Sequence, residues 1–96
     1  MSPAPHDLIT LGRVGVDLYP QQIGIGLAEV ETFVKYLGGS ATNVAVAAAR
    51  HGLRTAVVTG VGDDPLGDFV RGALRGFAVE DRYVVTVPGR QTPVVL

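Results

Sequence analysis

Ninety-six residues, 47% hydrophobic and 18% charged, describe one small globular domain or a piece of a larger one and exclude a disordered chain. The net charge is −1 and the eight Lys and Arg residues are scattered from Arg13 to Arg90, so no basic stripe offers itself to nucleic acid or an anionic membrane. There is no cysteine, which removes disulfides and thiolate chemistry.

The opening "MSPAPHD" lacks the basic and apolar regions of a signal peptide, and the longest apolar run, Val44–Ala49, is far too short to span a bilayer. A cytoplasmic protein is the expectation. "DLITLG" then reads as a short buried strand ending in glycine. "LYPQQIGIG", with a proline and two spaced glycines, reads as irregular or edge structure. "LAEVETFVKYL" fits two periods: Leu27, Val30, Val34 and Leu37 suit a helix, while alternation through Phe33–Leu37 suits a two-sided strand.

Ser40 is the expected N-cap of an alanine-rich helix, and Gly52 its C′ residue. "RTAVVTGVG" reads as a buried strand. Asp64-Pro65 opens a second helix, with Leu66, Phe69, Val70, Ala73, Leu74 and Phe77 on its core face. The tail "DRYVVTVPGRQTPVVL" resembles two strands around a Pro88-Gly89 turn, and its abrupt end on "PVVL" reads as a cut through a strand. Strands and helices alternating in this way predict an α/β layer fold with right-handed crossovers.

Glycines before helices invite a phosphate-binding reading, because helix N-termini offer free N–H groups. The spacing disfavours it. No G-x-x-x-x-G-K-[ST] occurs, the only lysine (Lys35) precedes the glycines, and in "GVGDDPLG" the third glycine is too late for G-x-G-x-x-G. That also disfavours a dinucleotide-binding half-domain. Asp17, just past the first strand in "GRVGVD", is either a solvated loop aspartate or a ligand-binding one. Asn43, in the first turn of the alanine-rich helix, is either a helix-end residue or a polar contact.

In order along the chain, "LGRVGVD", "LGGSATNVAVAAARHG", "TGVGDDPLGDFVRGAL" and "RQTPVV" resemble the amino-terminal half of the ribokinase-like (PfkB) carbohydrate kinases. Two of the stretches look most like the branch acting on 5-dehydro-2-deoxy-D-gluconate in myo-inositol breakdown. The resemblance implies a ribokinase-like α/β/α sandwich, here its amino-terminal portion, with a small β-sheet lid. Lid strands are expected near 17–22, 32–38, 82–87 and 92–96. That favours the strand reading of "ETFVKYL".

The resemblance also implies roles. Asp17 would bind sugar hydroxyls, Gly39 would let the backbone approach the sugar, and Asn43 would hydrogen-bond it beside Gly38. Gly15 stands where many relatives carry a polar sugar-binding residue. This suits an open-chain keto acid, with Arg13 or Arg90 the candidate for its carboxylate. Ala78 stands where relatives commonly end the second helix with glycine, so either Arg75-Gly76 frays or Ala78 takes a positive φ.

ATP and Mg2+ would serve the full-length enzyme, and none is expected on this chain alone. The family's carboxy-terminal G-A-G-D motif is absent: Gly62-Asp63 and Gly67-Asp68 are the only Gly-Asp pairs, and neither has that context. No catalytic base or metal ligand is therefore expected here, and the chain is expected to be an amino-terminal kinase portion, inactive alone. The expected partners are a small sugar or sugar acid and a second copy through the lid. The competing reading is a non-catalytic sugar-binding module, separable by looking for G-A-G-D beyond Leu96.

Overall fold

The structure, a computed structural model, describes residues 5–96; the first four residues of the "MSPAPHD" stretch lie outside that range. In chain order the elements are β1 (Leu8–Leu11), β2 (Gly15–Pro20), a single 3-10 turn (Leu27–Glu29), β3 (Phe33–Gly38), α1 (Ser40–Arg50), β4 (Thr55–Gly62), α2 (Pro65–Gly76), β5 (Val79–Glu80), β6 (Val84–Val87) and β7 (Val94–Val95). They form two sheets. In the larger, β4 is central and pairs in parallel with β1 on one side and with β5 and β6 on the other. The smaller is mixed: β2 runs antiparallel to β3 and parallel to β7.

Both helices pack on one face of the larger sheet. Val57 and Val61 of β4 meet Val70 and Leu74 of α2 and Ala41 and Ala45 of α1 in one core, joined by Val14 and Val16. Hydroxyls fasten α1 to the strands, with Thr10 Oγ1 donating to the Ala41 carbonyl (2.9 Å) and Thr55 Oγ1 to the Ala45 carbonyl (3.1 Å). The register puts Ile9 and Leu11 opposite Ala56 and Val58, on the uncovered face. The strand expected to be buried is therefore buried on one side only, and Leu11 is 81% exposed.

The ambiguous segment resolves into both halves of its pattern: a single turn at Leu27–Glu29, then the strand Phe33–Gly38. Ser40 is not the N-cap. Strand β3 runs through Gly38, and Gly39 (φ 101°) makes the sharp turn, so Gly39 is the cap and Ser40 the first helical residue. Gly52 (φ 85°) is the C′ residue as expected, its N–H donating to Ala49 O while Leu53 N–H donates to Ala48 O.

One expected lid strand belongs elsewhere. Residues 84–87 pair in parallel with β4, Val84 opposite Thr59 through Val87 opposite Gly62. The physical reason lies in β4, whose eight residues outrun the short β5. Its second half would leave a row of backbone groups unpaired, and β6 fills that edge. The Pro88-Gly89 turn is thus no hairpin: it carries the chain from the larger sheet to the smaller, where only Val94–Val95 pair.

Asp64 caps α2, accepting a hydrogen bond from Gly67 N–H (2.7 Å), with Pro65 at the first helical position. The helix ends at Gly76, and Ala78 takes the left-handed conformation (φ 61°). Phe77, expected in the core, lies past the last helical residue and is exposed under the Arg50 guanidinium. A left-handed alanine costs roughly 1–2 kcal/mol, part of which glycine returns through its larger unfolded-state entropy. Ala78→Gly should therefore stabilise the protein by about 0.5–1 kcal/mol, read as a higher denaturant midpoint at unchanged slope.

Two carboxylates are held below the ordinary aspartate value of 3.8. Asp64 is lowered by hydrogen bonds from the Thr92 hydroxyl, the Thr92 N–H and the Gly67 N–H, and Asp7 by the Arg54 N–H and then its guanidinium. A depressed folded-state value means the contribution is complete above the unfolded value and is lost as pH falls through the folded one. Stability should thus be flat from about pH 7 to pH 5 and decline below about pH 4. In urea titrations, Asp64→Asn should flatten that acid limb; an unchanged limb would contradict the assignment.

Candidate functional site

The chain crosses between the two sheets at Gly12–Val14, at Gly38–Gly39 and between β6 and β7, and a cleft opens where these crossings meet. It has a volume of about 310 Å³ and is lined by Arg13, Gly15, Asp17, Gly39, Ser40 and Pro93, among others. It lies outside the carboxyl end of β1, the place where open parallel sheets bind ligands.

Asp17 projects into this cleft from β2. It pairs with Tyr36 across the strands, and the diagonal neighbour on the same face is Gly38. A Cβ at Gly38 would strike the Asp17 carboxyl oxygens, so the absence of a side chain there makes room for the carboxylate. At Gly39 a Cβ would strike the Arg13 carbonyl oxygen and stand 3.1 Å from Val14 Cα. The two glycines therefore clear space for Asp17 and for the β1–β2 crossing. Gly15 has a structural cause too: its Cβ would lie 2.9 Å from the Pro93 carbonyl oxygen, where β7 packs.

Among the described residues the Asp17 carboxylate receives no side-chain hydrogen bond and joins no ion pair. The same holds for the Arg13 guanidinium, whereas Arg54 and Arg75 are paired with Asp7 and Asp81. The cleft lining thus includes an anionic and a cationic residue that do not pair with each other. Chemically, the carboxylate can accept hydrogen bonds from hydroxyls and the guanidinium can donate to an anion.

Two expected residues stand apart. Asn43 is exposed on α1; its N–H donates to Gly39 O (2.9 Å), and it lines a second hollow with Leu37, Val46, Ala47, Arg50 and Phe77. Helical rotation carries it away from the Asp17 cleft. Arg90 is exposed in the β6–β7 turn, outside the cleft lining. Pro93, Val95 and Ser40 line the cleft although sequence reasoning gave none of them a role there. For Pro93 and Val95 the signal was "RQTPVV", whose partner strand no local pattern identifies.

Among the described residues no three His, Cys, Asp or Glu side chains group as a metal site, and no helix is long and apolar enough to cross a membrane.

A family model described as pfkB family carbohydrate kinase matches residues 5–96. The chain is 45% identical over 71 residues to 5-dehydro-2-deoxygluconokinase of Bacillus anthracis, a match covering 74% of this chain and 21% of that protein. It is 44% identical over 70 residues to the protein of the same name from Photobacterium profundum, covering 73% and 21%. Among solved structures, the 2-dehydro-3-deoxygluconokinase of Thermotoga maritima superposes with a TM-score of 0.83 at 30% identity, covering 91% of this chain and 26% of that one. A sugar kinase from Pyrococcus horikoshii in complex with ATP superposes with a TM-score of 0.84 at 30% identity, covering 91% and 28%. The chain spans 21% of the length of these curated relatives. Its parallel sheet with helices and small mixed sheet match the corresponding third or less of ribokinase-like kinases. The chain belongs to the PfkB family of carbohydrate kinases.

Proposed function

We propose that this chain is the acceptor-binding, amino-terminal part of an ATP-dependent kinase that phosphorylates 5-dehydro-2-deoxy-D-gluconate. The observation carrying the reading is the Asp17 carboxylate, unpaired among the described residues in a cleft whose lining also includes Arg13, likewise unpaired among them. Asp17 accepts hydrogen bonds from acceptor hydroxyls and fixes the orientation of the sugar chain. Arg13 receives the acceptor's carboxylate, a choice supported by its place in the cleft lining, which does not include Arg90. Asn43 stays outside this set in the present geometry. Identity of 45% to kinases of that name supports the choice of acceptor.

ATP supplies the phosphoryl group and Mg2+ accompanies it. Among the described residues no three His, Cys, Asp or Glu side chains group to hold it. Positioning of the acceptor is this segment's contribution, and the base and the anion-stabilising groups belong to the rest of the kinase. A second reading, a PfkB kinase for another sugar, draws on the structural likeness to a fructokinase of Halothermothrix orenii (TM-score 0.80).

The test is a panel of acceptors given to the complete kinase, with 5-dehydro-2-deoxygluconate, 2-dehydro-3-deoxygluconate, fructose and ribose in parallel. The first should have the highest kcat/KM, while the 96-residue chain alone should release no ADP. Higher kcat/KM for fructose or ribose would overturn the substrate. Arg13→Ala should lower kcat/KM about tenfold for the acid acceptors and leave neutral sugars nearly unchanged.

A further inference from the structure

The Asp64 carboxylate does more than cap a helix. Oδ1 accepts from Gly67 N–H (2.7 Å) and from the Thr92 hydroxyl (2.6 Å), and Oδ2 accepts from Thr92 N–H (2.9 Å). The Thr92 oxygen in turn accepts from Gly62 N–H (3.0 Å). Thr92 is 3% exposed, and every polar group it brings to this spot has a partner. The turn is cut to receive it. A Cβ at Gly62 would strike the Arg90 carbonyl, and one at Gly67 would stand 3.2 Å from Thr92 Oγ1. Gly62-x-Asp64-x-x-Gly67 is therefore a receptor for a residue 28 positions beyond Asp64 in the chain.

The residues after Thr92 make the receptor consequential. The Pro93 carbonyl accepts from Val16 N–H (2.8 Å), and Val94 and Val95 pair with Val16 and Asp17. Pro93 and Val95 also line the Asp17 cleft. An unbroken run of bonds thus leads from the first turn of α2 to the backbone of Asp17. One end is anchored in the helix-bearing layer and the other in the small sheet.

We propose that Asp64 and Thr92 are positioning residues for the acceptor site: their bonds pin β7 and thereby set the wall of the cleft against Asp17. The kinetic part rests on the acceptor role proposed for Asp17. The structural part does not. Released from this pin, β7 keeps only its short pairing with β2, and the cleft wall loses its fixed distance from the carboxylate.

Thr92→Val keeps the shape and the backbone N–H bond but deletes both hydroxyl bonds; Thr92→Ser keeps all of them. In the complete kinase, Thr92→Val should raise KM for the acceptor about tenfold with KM for ATP within about twofold. Amide exchange at Val16, whose N–H bonds to Pro93, should quicken by a similar factor. Thr92→Ser should restore both readouts. A cooperative melting curve for each variant confirms that it is folded, and Asp64→Asn, which turns one of the two acceptor oxygens into a donor while keeping the side-chain shape, takes the same readouts should Thr92→Val fail to fold. Unchanged exchange at Val16 in Thr92→Val would overturn the pin. Faster exchange with unchanged acceptor KM, where Asp17→Asn does raise that KM, would overturn the positioning role. Faster exchange with neither variant affecting acceptor KM would sink the acceptor reading and leave the pin standing.

Discussion

Asp17→Ala in the complete kinase is expected to lower kcat/KM for the acceptor by on the order of ten- to a hundredfold, with KM for ATP little changed. Hydrogen bonds to a charged partner are worth roughly 1.5–3 kcal/mol, and the carboxylate stands in the cleft with no partner among the described residues to absorb its bonding capacity. The same lack of partners makes the substitution cheap for the fold. Removing a half-buried carboxyl that satisfies nothing should leave stability within about 0.5 kcal/mol. Kinetic loss without structural loss is the signature to look for. Asp17→Asn, which keeps the shape and loses the charge, should fall between the two enzymes. An alanine variant with wild-type kcat/KM on every acceptor would remove Asp17 from the site.

Local chemistry explains which parts of this architecture are legible without coordinates. The second helix announces itself through Asp64-Pro65 and an apolar stripe, and the first through its alanines and the Gly52 stop. Even the irregular end of α2 is legible, because an alanine standing where a glycine is usual must either fray the helix or adopt positive φ, and Ala78 does the latter.

The hidden parts depend on partners distant in sequence. Val84–Val87 looks like any short apolar strand, and its sheet is decided by the free edge left beyond β5. Phe33–Gly38 is exposed along much of both faces, so neither periodicity could claim it. The direction of Asn43 depends on where Gly39 starts the helix: moving the cap from Ser40 to Gly39 changes which residues the first turn presents to the cleft. Thr92 meets Asp64 across 28 positions, and no pattern within the tail points to that bond. The glycine pair at the helix mouth stands out in the sequence, but the groups a side chain there would strike, the Asp17 carboxyl and the Arg13 carbonyl, are named by no local pattern.

That glycine pair supplies the other large effect, with opposite signatures at adjacent positions. Gly39 has φ 101° and ψ 138°, a conformation close to glycine-only territory that costs other residues roughly 1–3 kcal/mol. Its added Cβ would also meet backbone, the Arg13 carbonyl, which cannot swing aside; overpacking of this kind costs about 1–3 kcal/mol more. Against a typical total of about 5–15 kcal/mol, Gly39→Ala should lower the melting temperature by on the order of 10 °C or prevent folding. Gly38→Ala meets a side-chain end instead. The Asp17 carboxyl can rotate away, so stability should change little while the carboxylate leaves its place over Gly38. Acceptor kcat/KM should then drop about tenfold or more. Because both changes act through one carboxylate, Gly38→Ala combined with Asp17→Ala should be no worse than Asp17→Ala alone. Thermal melts and acceptor kinetics on the two single variants and the double variant decide the matter. Additive losses in the double variant would mean that Gly38 serves the site by some route other than Asp17.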